Sequence, residues 1–440
     1  MTMPTRKRIR ISEYQLSLIW QQLLGRELTT EEGDQLKMMY PGRLNNDNGP
    51  DFRDAVVVNN SNLVKGDVEI HIKSSDWHNH GHHCDPEYNS VILHVVAQHD
   101  ANSATLTKSG KSVPVACLPH ELWYQTYLIP YYQLPCFQTA KHKDKQTLWK
   151  LLDIAGEERF RRKATIFQDS LQRENGGQVL LQRMMRALGY SKNSEPFEEL
   201  ARRAPLNFIE KVKPAGDLSL KQAWLLGMAG LLPCQRKGGE FCGGNGVREL
   251  EQIWRSVGKE AESMSENDWH LSHVYPNNSP VRRIVAQSYL LQRYCRGGLL
   301  KGVLQLVRKA PMIAGYRLLE EGLIVLADGY WQDHFDFNVQ SRTRKSALLG
   351  RGKAAETAVN VVLPFAFSYG EMAGEPGLRE KAIELYRCYP KLAENEITHH
   401  MARQLCLDTS ALTACRQQGL IHIFRSYCRE GDCARCPLAD

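Results

Sequence analysis

Apolar and polar positions change their period part-way along the chain. Residues 13–24, EYQLSLIWQQLL, set Tyr14, Leu16, Ile19, Trp20 and Leu23 at steps of three and four, which predicts an amphipathic helix packed on a sheet. The period then shortens to two. FRDAVVV (52–58) is β-branched, and LVKGDVEIHIK (63–73) alternates Val68, Ile70 and Ile72 with Asp67, Glu69, His71 and Lys73, a half-buried strand with one polar face. VILHVVA (91–97) is a third apolar run, and ATLT (104–107) and VPVACL (113–118) predict a hairpin around the turn-prone KSGK. A helix and about five strands are therefore expected.

Proline-rich LIPYYQLPCF (128–137) and charged KHKDK (141–145) mark a boundary. Beyond it helical spacing takes over, in segments 147–172, 178–190, 220–233, 279–295, 354–372 and 378–389, with no repeat of fixed length. The expected fold class is α+β: an N-terminal mixed sheet with a flanking helix, then a mostly helical domain ending in a cysteine cluster. The expected divisions are 1–138, 139–405 and 406–440.

At 440 residues the chain exceeds what one core usually supports, and an apolar fraction of 42% with 24% charged residues is that of a globular protein. No run approaches the roughly 18 apolar residues of a membrane span. The start MTMPTRKRIRISEY lacks the apolar stretch of a signal peptide, so a cytoplasmic protein is expected, and its 12 cysteines are expected to stay reduced or bind metal. The net charge of +7 permits nucleic acid as a partner without demanding it.

The densest chemistry lies in NNDNGPDFRDA (45–55) and GDVEIHIKSSDWHNHGHH (66–83). Strand alternation puts Glu69, His71 and Lys73 on one face, and Asp51 opens the strand before it. If the two strands pair, Asp51 and Glu69 converge on a divalent cation, Mg²⁺ or Mn²⁺, with His71 as base or ligand and Lys73 as charge stabiliser. The alternative is a turn-forming Asp51 beside a solvated, ion-paired strand face. Density argues for the site: His78, His80, His82 and His83 follow at once, and His80, His82 and His83 are candidate metal ligands with the two carboxylates.

At the other end, Cys428, Cys433 and Cys436 have the spacing C-x4-C-x2-C, suited to Zn²⁺ or a 4Fe–4S cluster. Cys415 is the expected fourth ligand, with Cys406 and His422 as substitutes. Arg342, Arg344, Lys345, Arg351 and Lys353 form an acid-free basic stretch, and RFRRK (159–163) is another. Either is a phosphate contact or a solvated helix face.

Pro50-Asp51 followed by Glu69 on the next strand resembles the restriction-endonuclease-like PD-(D/E)xK superfamily, with His71 where its signature has lysine and Lys73 two positions further along. Some of those nucleases carry an iron–sulfur cluster that pins a C-terminal segment, which the resemblance extends to the cysteine tail. Stretches including NNDNGPDF, GDVEIHIKSSDWHNHGHHCDPEYNSVILHVV, AWLLGMAGLLP, VVLPFAFSYG and CARCPL also resemble a bacterial domain-of-unknown-function family common in Bacteroidetes-type organisms. The expected function is metal-dependent cleavage of DNA or RNA. The alternatives are a non-catalytic nucleic-acid- or ribosome-associated protein with a decayed nuclease core, and a hydrolase with a Zn²⁺ or Mn²⁺ centre of His71, His80, His82 and His83.

Overall fold

The computed structural model describes residues 11–438 apart from 46–48, 61, 102, 122–135, 137–142, 191, 212–217, 237–243, 272–273, 275, 338, 342 and 431. The chain divides into two compact units, Met1–Leu151 with Glu394–Thr409 and Ile423–Asp440, and Leu152–Ala393 with Ser410–His422. The C-terminal stretch read as a separate segment is thus shared between them.

In the first unit, helix α1 (Glu13–Gln22) starts at a capping box, with Gln15 N–H donating to Ser12 Oγ at 3.3 Å and Ser12 N–H to Gln15 Oε1 at 2.9 Å. Its Leu16 and Trp20 pack on a mixed sheet of β1 (Glu27–Thr29), β2 (Gln35–Tyr40), β3 (Arg43–Leu44), β4 (Phe52–Asn59), β5 (Asn62–Lys73), β6 (Val91–Gln98) and β7 (Val115–Cys117). The order is β1-β2-β4-β5-β6-β7 with β3 on β4; pairs up to β4–β5 are antiparallel, and β5–β6 and β6–β7 are parallel. β1 and β2 went unread in the sequence, although Leu36, Met38 and Tyr40 are buried at alternate positions. The predicted 104–118 hairpin is only partly made. Thr107 N–H reaches Lys111 O at 2.9 Å, but the outer arm pairs with β6, His94 N–H donating to Pro114 O at 3.0 Å.

β5 also departs from its half-buried reading. Val68 and Ile70 face the α1 core, while Asp67, Glu69 and His71 on the opposite side are buried too. The cause is the β5–β6 crossover, residues 74–90, which lays Trp77 and Tyr88 over that face.

In the second unit the predicted helices are present: Lys145–Leu171, entering from the first unit, then Gly176–Leu188, Leu218–Met228, Pro280–Arg293 and Pro376–Arg387. The run 354–372 is broken into Arg351–Thr357, a π-turn at Ala358–Val362 and Leu363–Met372. Pro364 has no N–H for a regular turn, and the wider turn before it absorbs the misfit. No described helix is long and apolar enough to cross a membrane.

The first unit recruits residues from the chain end. Tyr40 of β2 meets His400 and Phe424 edge-on, with ring centres 5.0 and 4.8 Å away. Burial, with smaller contributions from Arg403 and His399, pushes the His400 imidazole down to about 3. The group is neutral when folded and takes up a proton on unfolding, so its stabilising contribution is full above about pH 6.5 and lost as pH falls towards 3. Between about pH 7.5 and 5 this amounts to roughly 2 kcal/mol. Urea melts of His400→Phe are expected to show an acid sensitivity smaller by that amount; an unchanged pH slope contradicts it.

Candidate metal centre

The hairpin register brings the two carboxylates together. Phe52 pairs with Val68, so Asp51 stands opposite Glu69, and Asp51 N–H donates to Glu69 Oε2 at 3.0 Å while Ile70 N–H donates to Asp51 Oδ2 at 3.0 Å. A bulge follows at Asp54, whose φ is 59°. Asp51 and Glu69 thus stand side by side on adjacent strands.

Histidines complete the group. His71 Nε2 lies 3.2 Å from His80 Nδ1, 3.2 Å from His82 Nε2 and 3.4 Å from Glu69 Oε1, and His82 Nε2 lies 3.2 Å from the same oxygen. Ligand atoms of His71, His80 and His82 all fall within 4.8 Å of one another. β5 supplies His71, while the crossover supplies His80 after the short helix Asp76–Asn79 and His82 at the start of the turn His82–Cys84. Between them Gly81 takes φ 77°, a left-handed conformation that side chains resist, and so reverses the chain. Tyr88 stacks on His82 at 3.9 Å, and His71 Nδ1 contacts His94 Nε2 at 2.9 Å. That contact holds His71 Nε2 towards His80, His82 and Glu69.

Burial sets the electrostatics. Desolvation, with the neighbouring Glu69, pushes the Asp51 carboxyl up to about 7, and desolvation pushes Glu69 up to about 8. Burial and the facing His82 and His80 hold His71 down to about 3, and burial also lowers His82. Three imidazole nitrogens and one carboxylate oxygen, each able to offer a lone pair, converge there. A divalent cation held there would favour ionised carboxylates and neutral imidazoles at once. His80 leaves one side open to solvent.

A model of a protein family described as "Protein of unknown function (DUF2851)" matches residues 13–395, from α1 through all five of these side chains. The chain belongs to that family. No curated protein and no solved structure matches it.

Other anticipated residues of this DUF2851 chain lie elsewhere. Lys73 is exposed, its ammonium 3.4 Å from Asp100 Oδ2, and no hydrogen bond or ion pair joins it to Asp51, Glu69 or His71. β5 is ending there, and Asp76 accepts the Lys73 N–H at 3.2 Å. His83 turns away to pack on His78 at 4.8 Å. His94, which adds to the histidine density from the next strand, is legible in the sequence as one polar residue in an otherwise apolar run, whereas Tyr88 carries no such signal.

The basic stretch is not one surface. Arg344 is exposed; Arg351 lies 3.5 Å from Glu320 Oε2; Lys345 donates to Thr343 Oγ1 at 3.0 Å. Lys353 is half-buried, 3.7 Å over the Tyr190 ring and 3.1 Å from Glu356, and Arg342 lies outside the described residues. Cys415 belongs to the second unit, buried, its thiol donating to Asp153 O at 3.5 Å, and Cys428, Cys433 and Cys436 belong to the first. Of its substitutes, His422 sits in the second unit 3.4 Å from Glu158, and Cys406 is exposed with its thiol towards Arg403 O.

Proposed function

We propose that this chain is a metal-dependent hydrolase whose ion is held by His71, His80, His82 and Glu69, and that its substrate is a phosphodiester of DNA or RNA. The observation that carries the reading is the convergence of two imidazole nitrogens and one carboxylate oxygen at 3.2–3.4 Å around a third imidazole nitrogen, His71 Nε2. Imidazole-rich ligation shifts the preferred ion from Mg²⁺ towards Zn²⁺ or Mn²⁺. A bound ion there supplies an activated water at neutral pH and charge neutralisation on a phosphate oxygen. Asp51, opposite Glu69 and half-buried, would serve as the proton acceptor; His94 orients His71, and Tyr88 fixes the His82 ring.

A nucleic-acid substrate is supported by the Asp51–Glu69 pair on adjacent strands behind a packed helix, the arrangement that resembles the PD-(D/E)xK superfamily. The departures bear on the metal and not on the pair: His71 stands at the lysine position, and Lys73 takes no part.

The test incubates the full chain with labelled single- and double-stranded DNA and RNA in Mn²⁺ or Zn²⁺. Cleavage that chelator stops, and that Asp51→Ala reduces at least about a hundredfold, is expected. Tight binding without cleavage overturns catalysis and favours the decayed-core reading. Stoichiometric metal with neither cleavage nor binding overturns the substrate class and leaves a hydrolase of another substrate.

A further inference from the structure

The helical unit holds a pocket that the proposed reaction does not use. A cavity of about 320 Å³ is framed by helices Leu218–Met228, Asn245–Val257 and Pro280–Arg293 and by the segment that follows strand Val325–Leu326. Tyr289, Tyr330, Trp331 and Phe337 supply aromatic surface, and Asp328 and Glu249 supply carboxylates. No lysine, arginine or histidine lines it, although the chain carries a net charge of +7. Its volume is at the small end of the range for ligand pockets.

Local structure fixes the rings. Asp328 caps the turn Gly329–Gln332, its carboxylate accepting the Gly329 N–H at 2.8 Å, and Gly329 turns the chain with a φ of 50°. Trp331 meets Tyr330 and Phe337 edge-on, with ring centres 5.1 and 5.5 Å away and planes 87° and 65° apart, so the three rings stand as walls of a box and not as a stack. The Tyr330 hydroxyl donates to Phe337 O, and His334 stacks on the Tyr330 ring at 3.8 Å. Arg282 holds the backbone of the segment at two points, donating to Trp331 O at 2.7 Å and His334 O at 2.5 Å. Arg236, 5.9 Å from the centre of the Phe337 ring, is already engaged by both carboxylate oxygens of Asp336, at 3.1 and 3.2 Å.

Aromatic rings set at angles around a cavity offer the electron-rich faces that attract a cation, most strongly one whose own surface is apolar and weakly hydrated. Asp328 and Glu249 are exposed, and neither enters an ion pair among the described residues. Burial and then the Asp328 charge raise the Tyr289 hydroxyl above its ordinary value, so the field of that carboxylate reaches the pocket wall. A phosphate is repelled by such a lining, and a strongly hydrated inorganic ion gains little from the rings. We propose that this pocket binds a small organic cation, an alkylated ammonium head group, with the four aromatic rings against its apolar surface and Asp328 and Glu249 balancing its charge. The pocket belongs to the second unit and the histidine centre to the first, and the inference does not depend on the proposed activity.

The test titrates the full chain by calorimetry, in the presence of a chelator, with tetramethylammonium, with choline, and with the uncharged analogue of choline in which carbon replaces nitrogen. Saturable binding of both cations is expected, with the uncharged analogue at least about tenfold weaker. The double variant Asp328→Asn, Glu249→Gln changes two exposed positions and keeps a capping side chain at 328, so its melting midpoint is expected to stay near that of the native chain while cation affinity falls about tenfold. Tyr289→Leu, at a half-buried position, supplies the same reading if the double variant does not fold. No saturable binding of either cation, equal affinity for the uncharged analogue, or unchanged affinity in the folded variant overturns the proposal.

Discussion

His71→Ala is expected to abolish the stabilisation that a divalent ion at the proposed centre would confer on this protein. His71 Nε2 is the point on which His80, His82 and Glu69 converge, so its removal deletes a ligand and the centre of the group together. Losing an outer-shell partner of a metal ligand already costs about 10–100-fold in affinity, and losing the ligand itself costs more. For the native protein at an ion concentration about a thousand times Kd, binding contributes roughly 4 kcal/mol, which for a unit of this size raises the melting midpoint by about 10 °C. Mn²⁺ is the ion to use, since thiolates hold it poorly and the cysteine tail then stays silent. Each variant is compared with its own metal-free form, because the alanine also leaves His94 Nε2 without its 2.9 Å contact. An equal rise in His71→Ala excludes the histidine group as the ion's site.

The second large effect belongs to the helical unit. Arg282 is 0% exposed, and its guanidinium donates to Trp331 O at 2.7 Å, His334 O at 2.5 Å and Ala347 O at 3.1 Å; beside it Arg283 donates to Leu348 O at 2.5 Å and Asn278 Oδ1 at 2.7 Å. These carbonyls belong to the segment around two short strand pairs, where the sheets are too small to satisfy their own backbone. Arg282→Met fills much of the volume and strands the acceptors, at about 1–3 kcal/mol for an unsatisfied buried group and roughly 3–5 kcal/mol in total. A midpoint lower by about 10 °C in thermal melts is expected, against little change for Arg351→Ala at a largely exposed position. Equal losses for the two variants refute the account. The sequence SPVRRIV shows an amphipathic helix and nothing of this, because helical spacing marks which residues are apolar and not which arginines find carbonyls.

The same division runs through the candidate site. That Asp51 and Glu69 converge was legible, since two adjacent strands joined by a short turn leave few registers that keep Val68 and Ile70 on the core. Their depth was not. Alternation on β5 reads as one wet face, and only the crossover, which covers Asp67, Glu69 and His71, turns that face into a desolvated site. Histidine density in 78–83 was plain, but spacing alone does not separate His80 and His82, which point at His71, from His83, which does not; Gly81 makes that choice by reversing the backbone.

Taken alone, the amino-acid order determined the helix α1, strands β4 to β6, the long helices of the second unit and the two places where histidine, carboxylate or cysteine side chains are concentrated. Each of these follows from local period and composition, which act over a few residues. Tertiary structure alone decided that Lys73 leaves the site for Asp100 and that His94 supports His71 across a parallel pair. Those pairings join residues about twenty to thirty positions apart, and at such separations no periodic pattern distinguishes one partner from another. Packing of the sheet and the crossover selects them.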